Sequence, residues 1–171
     1  MRRLLLPLAF ALLLGFPGWA TPPWRGETVA FFGVAFIDHS TEGDIRGQRA
    51  DQTARTSLVA DYIAEVLAAE GMEVVDLAPV ADELERTRNP GRCNGCELRM
   101  ARQLGARFAV VAEVNKVSNL ILSVSIAVRE AETGAHVAGS TVDIRGNTDE
   151  SWLHGARYIL TRHIFVWDGG E

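Results

Sequence analysis

From Leu120 to Val128 the chain alternates apolar and polar side chains almost without a break: Leu120, Leu122, Val124, Ile126 and Val128 on one side, Ser123, Ser125 and Arg129 on the other. A period of two does not fit a helix, so this segment is a strand with one buried and one wet face, as in antiparallel sheets. Glu132-Thr133-Gly134-Ala135 supplies a turn and Val137 to Ile144 a returning partner. A hairpin with a loop of several residues around Gly134 is predicted.

The segments upstream read differently. Thr28 to Ile37 is almost wholly apolar, rich in Val and Phe, and bounded by Gly26 and by Asp38-His39-Ser40, which predicts a central strand buried on both faces. Arg107 to Val114 is a second such run, with Phe108, Ala109, Val110, Val111 and Ala112, and Met72 to Leu77 is a short β-branched strand. Between the first two strands, Thr41 to Gln52 reads as a polar loop. A helix then runs from Thr53 to about Glu70, with Val59, Tyr62, Ile63, Val66 and Leu67 on one stripe and Gly71 at its C-terminal cap. Pro79 opens a brief helix through about Arg86, and Asn89-Pro90-Gly91 marks a loop. Asn94 with Glu97 has capping-box spacing ahead of Leu98, Met100, Ala101 and Leu104, closed by Gly105. Asn147 with Glu150 repeats that spacing before a last helix carrying Trp152, Ala156, Ile159, Leu160 and His163, and residues beyond Val166 are expected to fray. The order is β-α-β-α-α-β-β-β-α. It predicts an α/β (α+β) chain with a single mixed sheet, parallel at its start and ending in an antiparallel hairpin, with helices packed on it.

The first twenty residues bear on compartment. Met1-Arg2-Arg3 is a basic start, Leu4 to Phe16 an apolar run, and Gly18-Trp19-Ala20 places small residues at −3 and −1. This is the pattern of a cleavable signal peptide over residues 1–20, with the cut after Ala20. The apolar run is too short to span a hydrocarbon core of ~30 Å. A mature chain of residues 21–171 follows, expected to be one α/β domain with an ordered core of about 27–166, periplasmic or secreted, without a transmembrane segment. No cysteine lies near the cut, so a lipid anchor is not indicated. Removing the leader leaves 15 bases against 22 acids and moves the net charge from −5 to −7. Such a surface repels nucleic acid and anionic lipid.

Cys93 and Cys96 stand at a predicted helix start, where a thiolate is stabilised. Attached haem needs His after the second cysteine, and Glu97 is there. A thioredoxin-like site would follow a strand directly and use a later cis-proline, whereas this pair follows a loop and no proline occurs after Pro90. A metal needs further ligands, and His39, His136, His154 and His163 are scattered, so neither metal nor cofactor is expected. A local disulfide fixing the Pro90 loop onto the helix suits an oxidising compartment, with redox use as its competitor.

Asp38-His39-Ser40 closes a buried strand where open α/β sheets keep ligand crevices, although turn chemistry explains the same residues, and Glu42 with Asp44 lacks the spacing of a calcium loop. Lys116, the single lysine among sixteen arginines, has Asn115 and Asn119 beside it. It reads either as a group that binds a carboxylate or closes a crevice, or as a solvated side chain at a strand junction. Asp143 and Arg145 can pair across one strand face, and Asp149 and Glu150 suit a helix start. Trp152 and Trp167 read as core or interface residues. Ligand or partner candidates are therefore Lys116, Asn119, Asp143, Arg145, Asp149 and Trp152, with no catalytic set: phosphate loop, nucleophile elbow and metalloprotease motifs are all missing.

The element order, with Glu132-Thr133-Gly134 at the hairpin turn, resembles the amino-terminal domain of TolB and the curli-secretion lipoproteins in architecture. Three stretches, Cys93 to Cys96, Asn115 to Leu122 and Val142 to Trp152, resemble a family of secreted bacterial proteins known as domain of unknown function 2380, over nearly all of the mature chain. Occurrence of that family beside periplasmic quinoprotein alcohol oxidation implies an accessory role there. The expected function is thus a non-enzymatic accessory or protein-interaction module that presents a sheet face or the Cys93 loop to another envelope protein. The alternatives are a thiol-disulfide redox protein using Cys93 and Cys96, and a small-ligand carrier.

Overall fold

The computed structural model describes residues 24–166. The predicted leader, Trp167 and the expected fraying end lie outside these residues. Among the described residues five strands form one sheet: β1 (Thr28–Asp38), β2 (Glu73–Val74), β3 (Phe108–Lys116), β4 (Leu122–Glu130) and β5 (His136–Ile144). Their spatial order is β2-β1-β3-β4-β5. β1 runs parallel to β2 and β3, and β3-β4-β5 continue antiparallel, which is the mixed sheet expected from the sequence.

The α-helices of the described residues are α1 (Thr41–Arg46), α2 (Ala50–Ala69), α3 (Ala81–Arg86), α4 (Cys96–Gln103) and α5 (Asp149–Ile159). The double-sided apolarity of β1 is used on both faces. Val29 and Phe31 join a core with Val59, Ile63 and Leu67 of α2 and Trp152, Ala156 and Ile159 of α5. Ala30 and Phe32 meet Met100 and Ala101 of α4 on the other side. Full burial of an aliphatic side chain of this size contributes roughly 1.5–3 kcal/mol, so the larger core carries most of the hydrophobic stabilisation. Gly155 lets α5 approach closely, because a Cβ there would lie 2.8 Å from Ile144 Cγ2 and 3.0 Å from Val124 Cγ2.

Several local expectations are corrected. The segment read as a loop after β1 contains α1, because Ser40 caps it by accepting from the Gly43 amide at 3.2 Å and Gly47 ends it at φ 69°. The second strand is only Glu73–Val74, since Asp76 turns the chain by accepting from the Ala78 amide. The capping boxes expected at Asn94 and Asn147 are replaced. Gly95 in the left-handed region precedes α4, and Thr148 caps α5 by accepting from Ser151 N. Leu120 is not on the buried strand face: the Ser118 hydroxyl accepts from Leu120 N and Ile121 N, and the resulting turn leaves Leu120 72% exposed. His163 is exposed because the chain widens into a π-turn over Leu160–Ile164, closed by Phe165 N donating to Leu160 O. One extra residue per turn shifts the buried positions to Ile164 and Phe165.

Candidate functional site

β1 leads through α2 to β2 on one side of itself, and the chain then crosses back through α3 and α4 to β3 on the other side. The two crossovers cover opposite faces of the sheet. Their divergence opens a crevice at the carboxyl ends of β1 and β3, where open α/β sheets place ligand sites.

At that end the last register pair of the β1–β3 ladder is Asp38 opposite Lys116. Lys116 is wholly buried, and its Nζ donates to Asp38 Oδ2 at 2.9 Å and to Glu42 Oε2 at 3.2 Å. This overturns the reading of Lys116 as a solvated junction residue: β3 runs two residues further than Val114 and carries it inward. Asp38 Oδ1 accepts from the amide and hydroxyl of Ser40 at 2.8 and 2.5 Å. Burial pushes the Asp38 carboxyl up, but the Ser40 hydrogen bonds and Lys116 outweigh that and hold it below the usual carboxylate range. Hydrogen bonds from Asn119 and Lys116 lower Glu42 likewise.

The network continues across the turn after β3. Asn119 Nδ2 donates to Glu42 Oε2 at 3.2 Å, and Asn147 Nδ2 to Asn119 Oδ1 at 3.3 Å. Asn147 Oδ1 accepts from Arg55 Nη1 at 2.9 Å and from Trp152 Nε1 at 3.1 Å, while Arg55 Nε meets Asp149 Oδ1 at 2.7 Å. The Arg55 guanidinium sits 5.4 Å over the Trp152 ring. Lys116, Asn119, Asp149 and Trp152 thus belong to one polar chain. Asp143 and Arg145 do not. Both are exposed and form no ion pair with each other among the described residues; Asp143 stands opposite Ser123 on β5, and Arg145 offers its carbonyl to Ser151.

On the α4 side lies a cleft of about 640 Å³, whose lining includes Asp38, His39, Arg86, Arg88, Arg92 and the two cysteines. Cys93 and Cys96 are joined as a disulfide with their Cα atoms 5.6 Å apart, as the spacing suggested. Glu113 anchors this wall. Its carboxylate takes Arg92 in a two-point pair at 2.7 and 2.5 Å and accepts from Asn89 and Asn115. Burial raises the Glu113 carboxyl, and Arg92 with the two amides more than reverses it. Behind the disulfide, buried Glu97 pairs with Arg129, which also holds the Gly134 carbonyl, fixing α4 to the β4–β5 hairpin. Cys93, Cys96 and Glu97 form a compact group. As a disulfide the sulfurs offer no thiolate to a cation, and Glu97 is already neutralised by Arg129. Glu113, Glu97 and Arg55 carry no ion-pair role in the sequence reading, and Asp38 enters it only as a strand-end residue, open to turn chemistry or a crevice. A lone acid inside the apolar run of β3 was the available signal for Glu113.

A family model described as "Protein of unknown function (DUF2380)" matches residues 27–164. The chain belongs to that family. The resemblance carried by the Cys93, Asn115 and Val142 stretches is thereby borne out. No curated protein matches by sequence. Among solved structures, the LpoB C-terminal domain from Salmonella enterica is 13% identical, with 71% of this chain and 84% of that one covered and a TM-score of 0.51. The NMR structure of E. coli LpoB is 11% identical over 72% of this chain and 58% of that one, with a TM-score of 0.50. At these identities the likeness is one of fold. Among the described residues no helix is long and apolar enough to cross a membrane.

Proposed function

We propose that this family member is an exported accessory protein that docks onto another envelope protein through the end of its sheet where α1 and the β3–β4 turn meet. The observation that carries the reading is a set of four exposed apolar side chains: Ile45 at 76%, Leu120 at 72%, Val117 at 58% and Ile121 at 48%. Single exposed apolar residues are ordinary, but four on two segments joined by one carboxylate are the composition of a docking surface. Glu42 is that carboxylate, held by Lys116 at the end of β3 and by Asn119 in the turn. Because the network fixes both segments beforehand, little ordering entropy opposes binding. The matching surface is an apolar recess on a folded protein. The basic start, the apolar run and the Ala20 cleavage pattern support export of residues 21–171, and a disulfide suits the compartment reached.

A photo-crosslinking residue at position 120, in protein expressed in its own host, tests this. The expected result is one discrete adduct that disappears with Ile45→Asp and does not form from position 158, and a recovered protein that begins at Thr21. Equal labelling from positions 120 and 158, or an adduct indifferent to Ile45→Asp, would overturn the docking reading.

One observation favours a second reading, thiol-disulfide exchange: both cysteines line the cleft. The reduction potential of the pair separates the two readings.

A further inference from the structure

From the same cleft we infer a binding site for a small organic ligand that carries oxyanion groups, held by Arg86 and Arg88 at the carboxyl end of β1. This site is separate from the docking surface and does not rest on it. The volume of about 640 Å³ falls within the range of small-molecule sites, roughly 300–1,000 Å³.

Charge selects the ligand class. The whole chain is acidic, at −5, yet the cleft gathers three arginines against one acid, Asp38. Asp38 is already neutralised by the buried ammonium of Lys116. Arg92 is likewise neutralised by Glu113, so its part is to fix the wall. Arg86 and Arg88 line the cleft as exposed residues and have neither an ion pair nor a side-chain hydrogen bond among the described residues. Two unengaged guanidinium forks two residues apart, over a concave surface with Thr87 and Asn89 beside them, match the planar oxygens of carboxylates or the oxygens of a phosphate. The loop that carries Arg88 is set in place by Asn89, which donates to Glu113, and by the disulfide that follows it. That preorganisation is what a guanidinium needs to discriminate an anion from bulk salt.

The test is an NMR titration of the protein as recovered from the cell, in 150 mM NaCl, with succinate, citrate and inorganic phosphate as probes. At least one probe is expected to shift the amide signals of residues 86–92 and His39 in a saturable way, and the better of carboxylate and phosphate identifies the source of the oxyanion. The Arg86→Ala/Arg88→Ala double variant should weaken that binding at least tenfold with an unchanged melting temperature, while Arg162→Ala leaves it unchanged. Non-saturable shifts with all three probes, or equal weakening in the Arg162→Ala variant, would show general ionic attraction only and overturn the assignment.

Discussion

Lys116 and Asp38 face each other across the final pair of the parallel β1–β3 ladder, with the ammonium 2.9 Å from the carboxylate and wholly out of solvent. Removing the ammonium leaves the partly buried Asp38 carboxylate without its charge partner. Lys116→Ala is therefore expected to cost about 3 kcal/mol, measured by urea unfolding. Lys116→Met combined with Asp38→Asn should recover part of that loss, and a double-mutant cycle gives the coupling. Additive single effects would show that the two residues do not interact.

Acid should expose the same pair and its counterpart on the other wall. Asp38 and Glu113 both titrate below their ordinary range in the folded chain. A depressed carboxyl contributes stability that is complete above its unfolded value, near pH 4, and is lost as the pH falls through the folded value. The melting temperature is expected to be level above about pH 5 and to fall steeply below pH 4. Asp38→Asn and Glu113→Gln should each start lower and show a shallower acid limb.

The disulfide encloses only Cys93 to Cys96, so its effect on the unfolded chain is small. Replacing both cysteines by serine should lower stability by about 2 kcal/mol or less, because Arg92 and Asn89 still tie the loop to Glu113. As a structural bond it should resist reduction, with a potential below about −300 mV. A potential near the −120 mV of strong dithiol oxidants, with exchange activity on a model disulfide, would instead establish the redox reading.

Gly155→Ala is expected to destabilise by about 1–3 kcal/mol through overpacking. Its new methyl would press against Ile144 and Val124, side chains of a core without slack. Thermal unfolding checks this, and Val124→Ala in the same chain should relieve part of the effect.

The parts of the fold legible in sequence were those set by periodicity. The alternation from Leu122 to Val128 and the unbroken apolar run of β1 each report how many faces of a strand are buried. Helix starts were less legible, because Asn94 takes a left-handed backbone at φ 58° ahead of Gly95 and the Asn147 side chain is held elsewhere, although both have the right side chains for caps. Asn147 is taken by Arg55 and Trp152, partners that only the tertiary fold brings near. The candidate site followed the same division. Lys116, Asn119, Asp149 and Trp152 were singled out by rarity or position, yet what joins them runs through Glu42, Arg55 and Asn147. Those contacts span separations such as 77 and 94 residues, which no local pattern reports.

The central ladder has a consequence for how the protein comes into being. β1 is complete by residue 38, yet its long partner β3 ends at residue 116. Until that point has been synthesised, one of the most apolar strands of the sheet has only two residues of β2 against it. Pairings of such long range are slow to close and leave adhesive edges bare in the meantime. The arrangement that puts Asp38 beside Lys116 therefore leaves the newborn chain with a bare apolar edge for as long as the second half is still arriving.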